Sequence, residues 1–485
     1  MRNLICCAVF FVIQTLQLTF ASTLSNEEKL AARVDQIFEH FNASTPGAAV
    51  AVVKDGKLLL AKGYGMANLE YDIPITEHTV FHVASVSKQF TAFSVYLLAS
   101  QGKLKLTDNV REYIPELPNF GTPITINHLI NHTSGLKDQW ALLTLAGWRM
   151  DDVITQQQIL KLIFQQTTLN FEPGSQFLYS NSGYTLLAEI VTRVSGKSFS
   201  EFTHDNIFQP LAMTNTQFYD DHEKVVKNRA YSYTEHNGSY NKQILSYANV
   251  GATGLFTTVA DLSKWALNFD KHIVGDTELF NTFNQAAKLN NGEPAILAVI
   301  DGETIYHAKG QFFRRYRGLE LYNHTGGDAG FRTYLARFPE KNISFIVLSN
   351  VKSFQPLQTG LDVAELYLSD ALTPRQPDMS QTTNAATEPS DNKAVIDNLL
   401  QFSGDYISTE LETKYSVSVR DDGLVMSHFR LNDTMLSVTG KDRFTGNIWF
   451  PVQVQFVRDK QNTVRGFTVS NFGAKNVIFR RQEAE

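Results

Sequence analysis

The rhythm of apolar and polar positions changes several times along the chain. After an apolar leader, a helix-like stretch covers roughly Asn26 to Phe41. The segment GAAVAVVKDGKLLLAKGYG then reads as a hairpin, with Asp55-Gly56 at its turn. FRTYLARFPEKNISFIVLSNV carries a second hairpin signal, with Pro339 to Asn342 as its loop. Between these ends, Lys88 to about Asn268 reads mostly as helix and loop. Sheet segments at both ends with helices between them predict an α+β domain. Distant segments join one antiparallel sheet, and the mostly helical stretch lies between them in sequence. Residues 373–395 are polar and rich in Pro, Thr and Ser, and read as a linker. Beyond it, YSVSVRDDGLVMSHFRL and NIWFPVQVQFVRD alternate in twos between turn residues. Residues 396–485 are therefore expected to form a small C-terminal all-β barrel or sandwich.

The leader changes the picture next. One arginine precedes an apolar run from Leu4 to Ile13, and a second run ends in small residues at Ala21. This is the layout of a secretory signal peptide over 1–21, cleaved after Ala21. Gln14, Thr15 and Gln17 break the run, so the ~20 uninterrupted apolar residues of a membrane span are missing. The expected plan is a signal peptide (1–21), a main domain (22–372), the linker (373–395) and the barrel (396–485). A periplasmic or secreted protein follows. Both cysteines, Cys6 and Cys7, fall inside the leader. Disulfides, cysteine nucleophiles and thiolate metal sites are thereby excluded from the mature chain. With 43 Lys and Arg against 49 Asp and Glu, the chain lacks the basic footprint of a nucleic-acid binder.

Three short motifs carry candidate chemistry. In Ser85-Val86-Ser87-Lys88, residues three apart share a helix face, so the Ser85 hydroxyl lies beside the Lys88 amine. Free N–H groups at a helix N-terminus add positive potential there. Burial can depress a lysine until it accepts a proton, which activates a serine without a histidine base. S-x-x-K occurs six times, starting at Ser85, Ser100, Ser134, Ser239, Ser349 and Ser390. Only Ser85 stands between a strand-like lead, Thr79-Val80-Phe81, and a long apolar helix from Phe90 to Leu98. The bland alternative is a simple helix cap.

The second motif, Tyr179-Ser180-Asn181, follows a Pro-Gly turn and precedes a helical run. A tyrosine near two cations can be partly ionised and relay protons. Asn181 can hold the lysine and a substrate amide. The third motif is His324-Thr325-Gly326-Gly327, on a segment read as an edge strand where glycines let a substrate backbone approach. The N–H groups of Gly327 and Ser85 can form an oxyanion hole. His324 can place a positive charge or a donor near a substrate carboxylate. The plainer readings are a buried tyrosine beside an Asn turn, and a strand-end turn.

These elements, in this order, resemble the serine β-lactamase-like superfamily. The resemblance is to the branch of class C β-lactamases, D-alanyl-D-alanine carboxypeptidases, D-aminopeptidases and related esterases. FHVASVSKQFTA, LTDNV, ITINHLINHTSGL, FEPGSQFLYSNSGYTLLAEIV, GLFTTVADLSKW and HTGGDAGFRTYLARFP carry it, over roughly residues 28–355. It implies an antiparallel sheet flanked by helices plus an all-helical subdomain, with Ser85 as the acylated nucleophile and Lys88 as its base or relay. Tyr179 is the second acid/base group, and Asn181 orients Lys88 and substrate. Thr325, Gly326 and Gly327 bind substrate by adding a short strand to the sheet edge. His324 stands where class C β-lactamases carry lysine and where the carboxypeptidases and D-aminopeptidases carry histidine, which counts against an efficient β-lactamase.

The expected function is a secreted or periplasmic serine hydrolase working through an acyl-enzyme. Its substrates are D-amino-acid peptides, peptidoglycan stem peptides or β-lactams, and no cofactor or metal enters. An esterase of the same fold and a non-turnover penicillin-binding sensor are the alternatives. His128 and His132 have the spacing of a zinc protease, but the glutamate is absent and no third ligand is evident. Gly251-Ala252-Thr253-Gly254 lacks the phosphate-loop lysine and reads as a tight turn near the cleft. The barrel resembles modules appended to some D-aminopeptidases and esterases, and is expected to cap or narrow the cleft through one loop.

Overall fold

The computed structural model describes residues 25–300, 302–374, 399–421 and 423–482. The leader and most of the linker lie outside the described residues. Eight strands form one antiparallel sheet. They are β1 (Ala48–Lys54), β2 (Lys57–Tyr64), β3 (Ile296–Ile300), β4 (Glu303–His307), β5 (Phe312–Tyr316), β6 (Leu319–Asp328), β7 (Phe331–Phe338) and β8 (Ile343–Ser349). Their spatial order is β3-β4-β5-β6-β7-β8-β1-β2, so the first hairpin joins the sheet beside the last strand, with Ala48 opposite Ser349. Asp55 and Gly56 both take positive φ, 47° and 75°, as the two-residue turn between β1 and β2 requires.

The run AAVAVV is continuous because β1 is covered on both faces. Ala48, Val50 and Val52 pack with Val34 and Phe38 of α1 (Asn26–Phe38). Ala49 and Ala51 belong to the opposite cluster, which holds Phe90 and Trp265. Phe90 lies on α2 (Ser87–Ser100), which is buried continuously from Ser87 to Leu98. The helical subdomain adds α3 (Gln139–Leu145) and α4 (Asn181–Ser195). Trp265 comes from α5 (Val259–Lys271), and α6 (Pro356–Leu368) closes the α1 face of the sheet. This is the expected α+β arrangement.

The strand carrying the HTGG motif departs from the expectation of an edge. β6 is interior, paired with both β5 and β7. Its pairing with β5 ends at Phe312 opposite Asn323, whereas its pairing with β7 runs on to Asp328 opposite Phe331. The edge is therefore local. Among the described strands, only β7 pairs with the stretch from His324 to Asp328.

The C-terminal part is a closed eight-stranded barrel, built from β9 (Gly404–Ser408), β10 (Thr413–Arg420), β11 (Gly423–Ser427), β12 (Thr434–Gly440), β13 (Arg443–Asn447), β14 (Pro451–Arg458), β15 (Val464–Ser470) and β16 (Val477–Arg481). Rings fill its interior. Tyr406 and Phe467 lie 4.8 Å apart, and Phe402 and Phe456 lie 4.5 Å apart. The barrel touches the helical subdomain through Glu410, Glu412 and the loop from Asn471 to Asn476. That loop meets the segment leading into α3. Among the described residues, no helix is long and apolar enough to cross a membrane.

Candidate active site

The serine sits in a pinned turn. Ser85 occupies a 3-10 turn, Ala84–Val86, immediately ahead of α2 and not in the first turn of α2 itself. Ala84 takes φ 47°, a left-handed conformation that costs a non-glycine residue about 1–3 kcal/mol. Tertiary bonds hold the strain in place. The Val83 N–H donates to the Leu255 carbonyl (2.9 Å), the Thr333 hydroxyl donates to the Val83 carbonyl (3.0 Å), and the Leu255 N–H donates to Ser87 Oγ (3.1 Å). Sheet and helices thus fix the backbone around the hydroxyl.

Lys88 is fully buried one turn later. Its Nζ lies 2.8 Å from Asn181 Oδ1, 2.6 Å from the Ala252 carbonyl and 3.3 Å from Ser85 Oγ. The first two partners only accept. A neutral amine has two N–H donors and one lone pair, so its lone pair is left facing the serine. Burial pushes the ammonium down to about 7, against the opposing pull of Asp138 and Asp328. At neutral pH, much of this amine can therefore take a proton from Ser85. The turn expected at Gly251–Gly254 supplies the carbonyl, and the Thr91 hydroxyl fixes it by donating to the Gly251 carbonyl (2.7 Å).

Tyr179 and His324 join the same pocket. Lys88 Nζ lies 4.9 Å from the Tyr179 ring centre, and the Tyr179 ring lies 6.2 Å from that of His324. Two expectations about charge are corrected here. Burial pushes the Tyr179 phenol well above 10 and outweighs the Ser85 hydroxyl beside it, so the phenol stays protonated. Burial, reinforced by Lys88, lowers His324 to about 3, so the ring is neutral and brings no positive charge. His324 Nδ1 donates to the Thr325 carbonyl at 2.5 Å, which leaves Nε2 as an acceptor.

Two further histidines line the site: His132, noted in the sequence only for its zinc-like spacing from His128, and His307, which no motif contained. His132 Nδ1 accepts from the Ser180 N–H (3.1 Å), and His307 Nε2 accepts from the Gly310 N–H (3.2 Å). Each neutral ring therefore keeps its proton on the other nitrogen. The two rings lie 4.7 Å apart, and the His132 ring lies 4.3 Å from that of Tyr179. His132 Nε2, His307 Nδ1, His324 Nε2 and the Tyr179 hydroxyl are buried without a hydrogen-bond partner among the described residues. The three histidine rings form a connected set with that of Tyr179. His128, the other half of the zinc-like spacing, bonds through Nδ1 to the Thr125 N–H and through Nε2 to Asn290.

Asp138 is the most consequential residue that the motifs did not contain. Its Oδ2 accepts from both the N–H (2.6 Å) and the side-chain Nδ2 (2.8 Å) of Asn181. The Asn181 amide is thereby oriented with its oxygen toward Lys88. A cap signal ahead of α3 was present in the sequence, since Asp138 Oδ1 accepts from the N–H groups of Trp140 and Ala141. Its link to Asn181 was not. Asp328, at the end of β6, accepts from the Thr253 hydroxyl (3.2 Å), and burial pushes it up to about 7.

Comparisons with known proteins agree with this architecture. Penicillin-binding protein 4* of Bacillus subtilis (strain 168) is 28% identical over 320 residues, 62% of this chain and 67% of that protein. A D-aminopeptidase of Gluconobacter oxydans (strain 621H) is 26% identical, over 66% of this chain and 59% of that protein. Among solved structures, the octameric penicillin-binding protein homologue from Pyrococcus abyssi superposes with a TM-score of 0.62 at 22% identity, covering 93% of this chain and 99% of that one. The D-amino acid amidase from Ochrobactrum anthropi SV3 gives 0.59 at 22% identity, over 70% and 99%. The Beta-lactamase family model matches residues 34–368, so the chain belongs to the Beta-lactamase family and is a serine hydrolase of that fold.

Proposed function

We propose that this protein is an exported hydrolase that cleaves short peptides or amides of D-amino acids through an acyl-enzyme on Ser85. The observation carrying this reading is the Lys88 amine, whose other two directions are taken by Asn181 Oδ1 and the Ala252 carbonyl. Ser85 Oγ attacks the substrate carbonyl as its proton passes to Lys88 Nζ. The N–H groups of Ser85 and Gly327 hold the oxyanion. One such donor typically lowers the barrier by about 3 kcal/mol. The protonated Tyr179 hands its proton to the leaving amine and is re-protonated from Lys88. Water then attacks the ester carbonyl and gives a proton to the neutral Lys88, which passes it to Ser85 Oγ as the bond between the acyl carbon and Ser85 Oγ breaks. The stretch of β6 beyond Asn323, open on the β5 side, receives the substrate backbone as a short strand.

The substrate class draws on the relatives, which include a D-aminopeptidase and a penicillin-binding protein. The neutral His324 supports it over β-lactams carrying a carboxylate, because it offers that group no charge. Export rests on the leader, with its apolar run and small residues at the end. Intact-mass analysis after exposure to a fluorophosphonate or labelled penicillin tests the mechanism. An adduct on wild type that is lost in Ser85→Ala is expected, and equal labelling of the two would remove the acyl-enzyme. A panel of D-aminoacyl amides, D-Ala-D-Ala peptides, nitrocefin and short esters tests the substrate class. Turnover confined to esters would favour the esterase alternative.

A further inference from the structure

We propose that the C-terminal barrel is a positioning module for the catalytic lysine, acting through Glu410 and the Gly473 carbonyl on Lys137 and Asp138. This inference rests on the reading of Ser85 and Lys88 given above. The connection is a short series of bonds. The Gly473 carbonyl, in the loop between β15 and β16, accepts from the Asp138 N–H at 2.8 Å and from Asn170 Nδ2 at 2.9 Å. Asp138 Oδ2 takes both donors of Asn181, and Asn181 Oδ1 then accepts from Lys88 Nζ. The barrel is therefore three residues from the amine: Asp138, Asn181, Lys88.

A second tie runs alongside. Lys137 Nζ is buried and lies 2.6 Å from Glu410 Oε1, which the barrel supplies between β9 and β10. Glu410 Oε2 accepts from the Thr167 hydroxyl, and Lys137 Nζ also donates to Thr168 Oγ1. The Lys137 carbonyl accepts from Ser182 Oγ at 2.7 Å, so this residue also grips the first turn of α4 beside Asn181. A buried ammonium that loses the carboxylate paired with it is strongly destabilised, and the segment must move to reach water. Residues 137 and 138 would move together, and Asp138 sets which way the Asn181 amide faces. If that amide turns over, its NH2 faces Lys88 and the lone pair loses its aim at Ser85.

The fit at Gly473 is tight as well. A Cβ there would stand 2.5 Å from Asp138 Cβ and 3.4 Å from Ala141 Cβ. By contrast, the exposed pair Lys161–Glu412 also joins barrel and helices but touches neither Lys137 nor Asp138. It serves as an internal control.

The experiment uses the full chain with Glu410→Ala, Gly473→Ala and, as control, Glu412→Ala. Rates are expressed per Ser85 titrated to completion, so a smaller folded fraction does not count as lost activity. Glu410→Ala and Gly473→Ala are expected to lower kcat by about ten- to a hundredfold with KM little changed, the size expected of a displacement near 1 Å. The acid limb of kcat should also be displaced. That limb reports Lys88 in the field of Asp138 and Asp328, with Tyr179, Tyr184 and the neutral His132, His307 and His324 around it. Glu412→Ala should match wild type. The double variant Lys137→Met with Glu410→Leu replaces the pair by apolar side chains and should recover most of kcat. Wild-type kcat and an unmoved limb in both Glu410→Ala and Gly473→Ala would overturn the positioning role, even if melting temperatures fall. A wild-type protein with no Ser85 adduct would remove the serine reading and this inference together. A wild-type adduct with unaffected variants would remove this inference alone.

Discussion

Gly326 passes so close beneath the serine turn that a Cβ on it would stand 2.3 Å from the carbonyl oxygen of Val83. The same Cβ would lie 2.3 Å from Thr333 Oγ1, the donor to that carbonyl. Sheet and helical subdomain meet here, and the contact sets how near β6 comes to Ser85. Gly326→Ala must separate them. Acylation of Ser85 is expected to slow by about a hundredfold. Stability should fall by about 1–3 kcal/mol, as for other over-packed sites. The rate of adduct formation by mass and a thermal melt read the two effects. A rate within a few-fold of wild type would show that the approach of β6 does not govern the chemistry.

The Lys88 amine gives activity its pH dependence. Burial holds its folded value near 7, far below that of a free lysine. Above that pH the lone pair is available, and below it the added proton occupies the position facing Ser85. The acylation rate should therefore be level on the alkaline side and fall about tenfold per unit below the inflection. Lys88→Arg keeps the charge but cannot release it, so the limb should vanish with a loss of about 10²–10⁴ in rate. Asp328 titrates in the same range and raises Lys88. Asp328→Asn should therefore keep the limb and move it to lower pH. Stopped-flow acylation across pH 5–9 distinguishes these outcomes.

A histidine is the usual suspect for an inflection near neutrality, and His324 lies close enough to be blamed. Its neutral ring and the Nδ1 bond to Thr325 argue otherwise. His324→Gln is expected to leave the acid limb where it is while changing KM. His324→Lys should behave differently, since it places a second ammonium near Lys88 in a buried site. A loss of several kcal/mol, or a lysine held neutral, is expected. The pH profile of the glutamine variant decides the assignment, and disappearance of its limb would transfer the inflection to His324.

What the sequence made legible follows from how local each signal was. The hairpin at Asp55-Gly56 announced itself because the two-residue turn demands positive φ at both positions. Ser85, Lys88, Tyr179, Asn181 and His324 were singled out through the company each motif keeps, and the structure brings them into one pocket. The barrel showed in its alternation. The strand bearing His324 was misread as an edge because local pattern does not reveal where a neighbouring strand stops, here at Phe312. The charge on His324 and Tyr179 was misjudged for the same kind of reason, since burial is a tertiary property. Asp138 and Glu410 were invisible as partners: 43 residues separate Asp138 from Asn181, and 273 separate Glu410 from Lys137.

The wall behind α2 sets how firmly Lys88 is held. Trp265 is fully buried, with its ring 4.4 Å from that of Phe90 and 5.1 Å from that of Phe93, and its Nε1 donates to Gln89 Oε1. Phe90, Phe93 and Gln89 all lie on the helix that begins beside the nucleophile. Trp265→Ala leaves a large void and an unpaired buried amide, and is expected to cost about 3–5 kcal/mol. Trp265→Phe keeps most of the ring and should cost less than half of that. Urea unfolding followed by far-UV circular dichroism measures both. Because the void opens behind α2 and not in the cleft, kcat per titrated Ser85 should fall less than tenfold in Trp265→Ala. A large loss of kcat with little change in stability would mean that Trp265 holds Lys88 in register directly, and that the core and the site are one mechanical unit.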